Sequence, residues 1–189
     1  RKELRDITRT ARDTDTPISI LGSGSNIVVG DEGIRGVVIE NRAVTVDKPK
    51  PTQNGLQLRV DSGTSLAKLA RSTARDSLAG LEWAAGIPGS AGGAVVYNAG
   101  AYGGCLADVL IDIDVLEFDG HEISIPAADL SLEYRSSAFT RNLLTERIIL
   151  GINFRLEEGE ARTSLARIEE LEAKRKNTQP RGRNAGSIF

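Results

Sequence analysis

Four segments hold the residue types that could do chemistry. In the first, Leu21-Gly22-Ser23-Gly24-Ser25-Asn26-Ile27-Val28-Val29, five small or polar residues sit between apolar ones. Their backbone N–H groups can point one way and bind an anion, and glycine lets phosphate oxygens approach with no Cβ in between. The plainer alternative is a tight strand-to-strand turn. No Lys follows and no helix is expected to open there, so neither the P-loop nor the Rossmann fingerprint fits. The second segment, Ala84 to Gly104 (AAGIPGSAGGAVVYNAGAYGG), is small at almost every position, which lets two surfaces, or a surface and a flat ligand, meet along the backbone. A flexible linker would waste Ile87, Val95, Val96 and Tyr102 in solvent, so a rigid wall against a planar cofactor is expected. In the third, Leu132-Glu133-Tyr134-Arg135-Ser136-Ser137-Ala138-Phe139, Arg135 lies among apolar and small residues. A guanidinium there is a fixed positive fork suited to a carboxylate or a developing anion, unless it simply pairs with Glu133 or Glu146. The fourth, Asn184-Ala185-Gly186-Ser187, puts a hydroxyl at a turn and by itself carries little.

The elements that must position these segments are legible in outline. Residues 1–15 read as a helix with Leu4, Ile7 and Ala11 on one face, broken by Pro17. Ile18–Leu21 reads as a short buried strand and Val37–Ile39 as a second. Residues 47–55 (DKPKPTQNG) mark a loop or subdomain boundary. Leu56–Val60 alternates as a half-exposed strand. Ser65 is placed to cap a helix whose apolar positions are Leu66, Leu69, Ala70 and Thr73. Val109–Phe118 reads as a long strand, turned by Asp119-Gly120 into a hairpin. Ile148–Phe154 is a further strand, and a charged helix spans roughly 161–175.

Composition narrows the function. The 189 residues carry 26 acidic and 24 basic side chains, a net charge of −2, so no field draws the chain to nucleic acid or an anionic membrane. No apolar run approaches the ~20 residues of a spanning helix, and no signal-peptide pattern is present. One cysteine, Cys105, and one histidine, His121, rule out an internal disulfide, zinc clusters, histidine-based triads and Cys–His dyads, and fit a reducing, cytoplasmic compartment. Any chemistry must come from a cofactor. With no Met, an opening inside a helical pattern at Arg1-Lys2-Glu3-Leu4 and an apolar close at Ser187-Ile188-Phe189, the sequence reads as part of a longer polypeptide.

Together and in this order, the four segments resemble the UDP-N-acetylenolpyruvoylglucosamine reductase family (UDP-N-acetylmuramate dehydrogenases) of bacterial peptidoglycan synthesis. GSGSNIVVGDEGIRGVVI looks like its pyrophosphate-binding turn and following strand, GIPGSAGGAVVYNAGAYGG like its second flavin stretch, and EYRSSAF and NAGSIF like its two catalytic segments. The resemblance spans residues 4–189. It implies an α+β, two-subdomain FAD-binding fold of the PCMH/vanillyl-alcohol-oxidase-like type: 1–50 a partial first FAD-binding subdomain, 51–160 the second, and 161–189 a linker helix and the start of a substrate-binding domain. It assigns Gly22, Ser23, Gly24, Ser25 and Asn26 to the pyrophosphate and Gly86, Ile87, Pro88, Gly89, Ser90, Gly92 and Gly93 to the flavin side. The first loop lacks the histidine through which related flavoenzymes tether the cofactor, which implies non-covalent FAD.

The implied reaction uses NADPH to reduce the flavin and then transfers hydride to the enolpyruvyl group of a UDP-sugar. Arg135 matches the arginine that faces the carboxylate, and Ser187 the proton donor to the enolate carbon. A third catalytic residue, a Glu, is expected beyond residue 189, as is most of the substrate domain. No substrate loop is inserted between Arg135 and Ser187, as in the shorter of the family's two types. These 189 residues alone are therefore expected to be inactive. Two alternatives stay open: another FAD-linked oxidoreductase of the same fold acting on a sugar or hydroxy acid, and a binding module that has lost the chemistry.

Overall fold

The computed structural model describes residues 2–117, 119–144 and 147–178. Helix α1 (Lys2–Asp13) buries Thr8 and Ala11, and Leu4 packs against Leu116, Ile148 and Leu150. Ile7, expected on that face, lies at the edge of the stripe and is exposed. Strands β1 (Ile18–Leu21) and β2 (Val37–Glu40) form a small parallel sheet, Ile18 opposite Val37 through Leu21 opposite Glu40. Both are half-exposed, so β1 is less buried than its apolar sequence suggests: a two-stranded sheet covers little of itself. Gly36 (φ +98°) brings β2 alongside Pro17, whose carbonyl a Cβ at 36 would strike.

The segment expected to be a loop holds a short strand. β3 (Lys50–Thr52) and β4 (Gly55–Asp61) form a hairpin, and β3 lies at the sheet edge, where Pro51 is tolerated. Residues 45–47 already run along β4: the Asp47 amide donates to the Arg59 carbonyl (2.9 Å) and the Asp61 amide to that of Thr45 (2.8 Å). Helix α2 (Leu66–Arg75) starts as expected, with Ser65 Oγ accepting from the Lys68 amide at 3.4 Å and Leu66, Leu69, Ala70 and Thr73 buried. Then come β5 (Leu78–Ala79), a 3-10 turn at Glu82–Ala84, α3 (Ala91–Val96), the tiny hairpin β6 (Gly100–Ala101) and β7 (Gly104–Cys105), and α4 (Leu106–Val109). Val109, read as strand, closes α4, whose start is tied by the Cys105 amide donating to Asp108 Oδ2 at 2.8 Å. β8 (Leu110–Leu116) therefore starts one residue later than expected, and β9 (Glu122–Pro126) follows a turn through Gly120 at φ +88°. β10 (Ile148–Glu158) and α5 (Ala161–Thr178) both outrun their expected ends.

The main sheet runs β3-β4-β10-β8-β9, with β5 also paired to β10. β10 is its spine, antiparallel to β4, β8 and β5. One face carries Leu58, Val60, Ile113, Val115, Ile152, Phe154 and Leu156, all buried in one core with residues of α2, α3 and α5. The alternating positions are polar: Asn153 donates to Asp112 Oδ1 (2.6 Å) and accepts from Gln57 (3.0 Å), while Arg59 reaches Asp114 (3.1 Å) and Asp61 (3.3 Å). The architecture is α+β: α2, α3 and α5 pack on one face of the antiparallel main sheet, and α1 packs through Leu4 on Leu116, Ile148 and Leu150, which point to the other. No helix among the described residues is long and apolar enough to cross a membrane.

Candidate functional site

The first glycine-rich loop leaves β1 and lies exposed. Among the described residues, none of the amides of Ser23, Gly24, Ser25 and Asn26 donates to a protein acceptor, so four donors in a row remain for an anion. Gly24 takes φ +68° with open space where a Cβ would be. This conformation favours glycine, and the backbone there is bare to any ligand.

The second stretch meets the first directly. A Cβ at Gly22 would overlap Ser90 Oγ and lie 3.3 Å from Ser90 Cβ, and one at Gly89 (φ +126°) would lie 3.2 Å from Ser25 Oγ. Ser90 is held from two sides. It pairs with Ser65 in an isolated antiparallel bridge, flanked by Leu66 N–H to Gly89 O (3.1 Å) and Ala91 N–H to Thr64 O (2.8 Å). Its hydroxyl also caps α3, accepting from Gly93 N at 3.3 Å. Ile87 and Pro88 lead into this contact, with Ile87 packed on the core.

Not every glycine faces open space. A Cβ at Gly92 would lie 2.9 Å from Ser62 Cβ, and one at Gly86 would lie 3.1 Å from Arg175 Cδ. These two, with Gly22, let chain pack on chain; Gly24 leaves open backbone, and Gly93, though exposed, lies close under Ser90. In the second stretch, expected to form a wall against a planar cofactor, Gly86 and Gly92 instead serve the packing of the chain on Arg175 and Ser62.

Several residues the sequence reading passed over hold this arrangement. Ser62 Oγ donates to Ile149 O (2.6 Å) and accepts from Asn41 Nδ2 (2.8 Å), tying the segment after β2 to the end of β4. Arg175, on the last turn of α5, lies over Gly86. Thr64, 6% exposed, has a hydroxyl with no hydrogen-bond partner among the described residues. Nothing in the sequence distinguishes these from ordinary polar side chains, because their roles depend on segments far away in the chain.

Arg135 stands in a two-residue turn. Glu133 and Ser136 exchange backbone hydrogen bonds (3.0 and 3.2 Å), leaving Tyr134 and Arg135 at the tip, with Arg135 in the left-handed region at φ +54°. Its guanidinium lies 6.0 Å from the Tyr134 ring centroid and has no carboxylate partner among the described residues. Glu133, one expected partner, is taken by Arg141 at 3.1 Å; Glu146, the other, lies outside the described residues. Next in sequence, fully buried Ser137 donates to the Val96 carbonyl at the end of α3 (2.6 Å), so the Arg135 turn is fastened to the second stretch. Ser187 lies outside the described residues.

The row of amides with no acceptor among the described residues and the Cβ-free approach at Gly24 fit an anionic group such as a diphosphate. Comparison with known proteins agrees. Relatives named UDP-N-acetylenolpyruvoylglucosamine reductase include one from Gloeobacter violaceus, 40% identical over 95% of this chain, and one from Synechococcus sp., 38% identical over 98%. The chain spans 59% and 60% of their respective lengths. The crystal structure of UDP-N-acetylenolpyruvylglucosamine reductase from Thermus caldophilus superposes with a TM-score of 0.75 at 32% identity, over 96% of this chain and 63% of that one. A solvent-stable cholesterol oxidase shares the fold alone, with a TM-score of 0.64 at 11% identity over 83% of this chain and 33% of that one. Residues 1–125 match the FAD binding domain family, and this chain belongs to that family.

Proposed function

We propose that this chain is the FAD-holding part of a UDP-N-acetylenolpyruvoylglucosamine reductase that uses NADPH and makes UDP-N-acetylmuramate for peptidoglycan in the bacterial cytoplasm. The contact of Gly22 and Ser25 with Ser90 and Gly89 carries the reading, because it joins the phosphate loop to the flavin-side stretch. When bound, FAD supplies a ring that accepts and gives hydride. The amides of Ser23–Asn26 would hold the diphosphate, and the stretch Gly86–Gly93 would lie on the ring side, with Gly86 and Gly92 backed by Arg175 and Ser62. The division into 1–50, 51–160 and 161–189 is part of the same proposal.

The substrate carboxylate is conjugated to the enol ether, so hydride addition at the terminal carbon drives negative charge onto that carboxylate as an enolate. Arg135, free of carboxylate partners among the described residues, would meet this charge with a fixed fork. The contact is stronger in the transition state than in the ground state, the condition for lowering the barrier. The neighbouring carbon then takes a proton, which we assign to the Ser187 hydroxyl. The strongly basic carbanion makes up for the weak acidity of serine once the two are aligned. The 189 residues alone are expected to bind FAD without turning over.

The test uses the full-length parent. It should be yellow, and its NADPH oxidation should require the enolpyruvyl sugar nucleotide. Arg135→Ala should lower kcat/KM for that substrate by about 100-fold or more, the scale of a lost charge-stabilising donor. Turnover indifferent to the sugar nucleotide would point instead to another FAD-linked oxidoreductase of this fold.

A further inference from the structure

We propose that Asn98 is a positioning residue for Arg135, a role that rests on the reading of Arg135 given above. Asn98 follows α3, is 7% exposed and takes φ +40°. Both ends of its side-chain amide are used. Nδ2 donates to the Glu133 carbonyl at 2.9 Å, and Oδ1 accepts from the Ala107 amide at 3.0 Å. A carbonyl can only accept and an amide N–H only donate, so these partners fix the amide in one orientation. Glu133 opens the turn that carries Arg135, and no glycine there relieves the left-handed conformation at 135. That turn must be held from outside. Ser137 holds its far end on Val96 and Asn98 holds its near end, both from the stretch whose other end touches Gly22. Asn98 therefore sets where the guanidinium stands relative to the proposed flavin wall, and so how it meets a substrate carboxylate.

The experiment uses the full-length holoenzyme. Asn98→Asp keeps the acceptor for Ala107 and replaces the donor to Glu133 with an oxygen that repels that carbonyl. Ser137→Ala, which frees the other end of the turn, is the second variant should the first not retain flavin. Three quantities are measured: the rate of flavin bleaching by NADPH, the rate of flavin reoxidation by the enolpyruvyl sugar nucleotide, and the calorimetric Kd of the carboxylate product. Asn98→Asp should slow reoxidation by about 10- to 100-fold and weaken product binding about 10-fold, with bleaching unchanged within about 2-fold. In an Arg135→Ala background it should add less than about 2-fold to either loss, since the two act as one unit. Equal slowing of both half-reactions, or a full additional loss in the Arg135→Ala background, would make Asn98 a general brace and overturn the proposal. No effect of Arg135→Ala itself on reoxidation or product binding would overturn the reading of Arg135 and this inference with it.

Discussion

At the scale of single residues, Gly22 fits closely against Ser90. The Ser90 hydroxyl cannot swing away from a new methyl at 22 without giving up the α3 cap on Gly93. Gly22→Ala should therefore cost about 1 kcal/mol or more, the usual worth of an N-cap. In a Ser90→Ala background, where no cap is left to lose, its added cost should be clearly smaller. Urea unfolding of the four proteins of this cycle measures the difference, and additive costs would show that the joint is looser than described. A second residue-scale expectation concerns His121, whose Nδ1 lies 3.0 Å from Asp119. That hydrogen bond, helped by the aspartate charge, raises the imidazole pKa and lowers that of Asp119. The histidine contribution is present below its ordinary pKa and lost as pH rises through the raised value; the aspartate contribution is present above its ordinary pKa and lost as pH falls through the lowered one. Both groups are fully exposed, so NMR titration of His121 should show a midpoint that falls on Asp119→Asn and in about 1 M salt. Arg135 was legible in the sequence as a charge out of place, and the two glycine runs by their density. Asn98, Ser62 and Thr64 were not, because one small polar side chain looks like any other until its distant partner is known.

At the scale of elements, legibility followed local chemistry. α2 could be read from its cap and apolar spacing because both are set within ten residues. β3 was hidden by Lys50 and Pro51, which belong in a strand only because β3 is an edge. The expected end of β10 falls short, at Phe154, because Arg155, Glu157 and Glu158 leave Leu156 as the one apolar residue of its last four. This is the stretch where Leu156 alone stays buried and β5 joins the pairing. Phe154, fully buried on this central strand, should cost about 3–5 kcal/mol when cut to Ala, against about 1 kcal/mol or less for Ser65→Ala at the long α2 cap. Chemical denaturation of the two variants checks that order.

At the scale of the whole molecule, the β1–β2 sheet and the main sheet are unequal. The β1–β2 pair has Ile20, Val37 and Val38 each about two-fifths exposed, whereas β10 is flanked on both sides and buried through most of its length. Native-state hydrogen exchange should find β8 and β10 amides opening only with global unfolding and those of β1–β2 opening earlier, through local unfolding. Equal protection would mean one cooperative unit.

The position of β10 bears on how the chain is made. β4 and β8 are synthesised with the edges that will flank β10 still unsatisfied, and neither neighbour fills them until residues 148–158 emerge from the ribosome. A nascent chain in this state keeps an open slot from the synthesis of β4 until β10 follows. Anything that slows the ribosome between the codons for β4 and those for β10 should lengthen its dependence on chaperones.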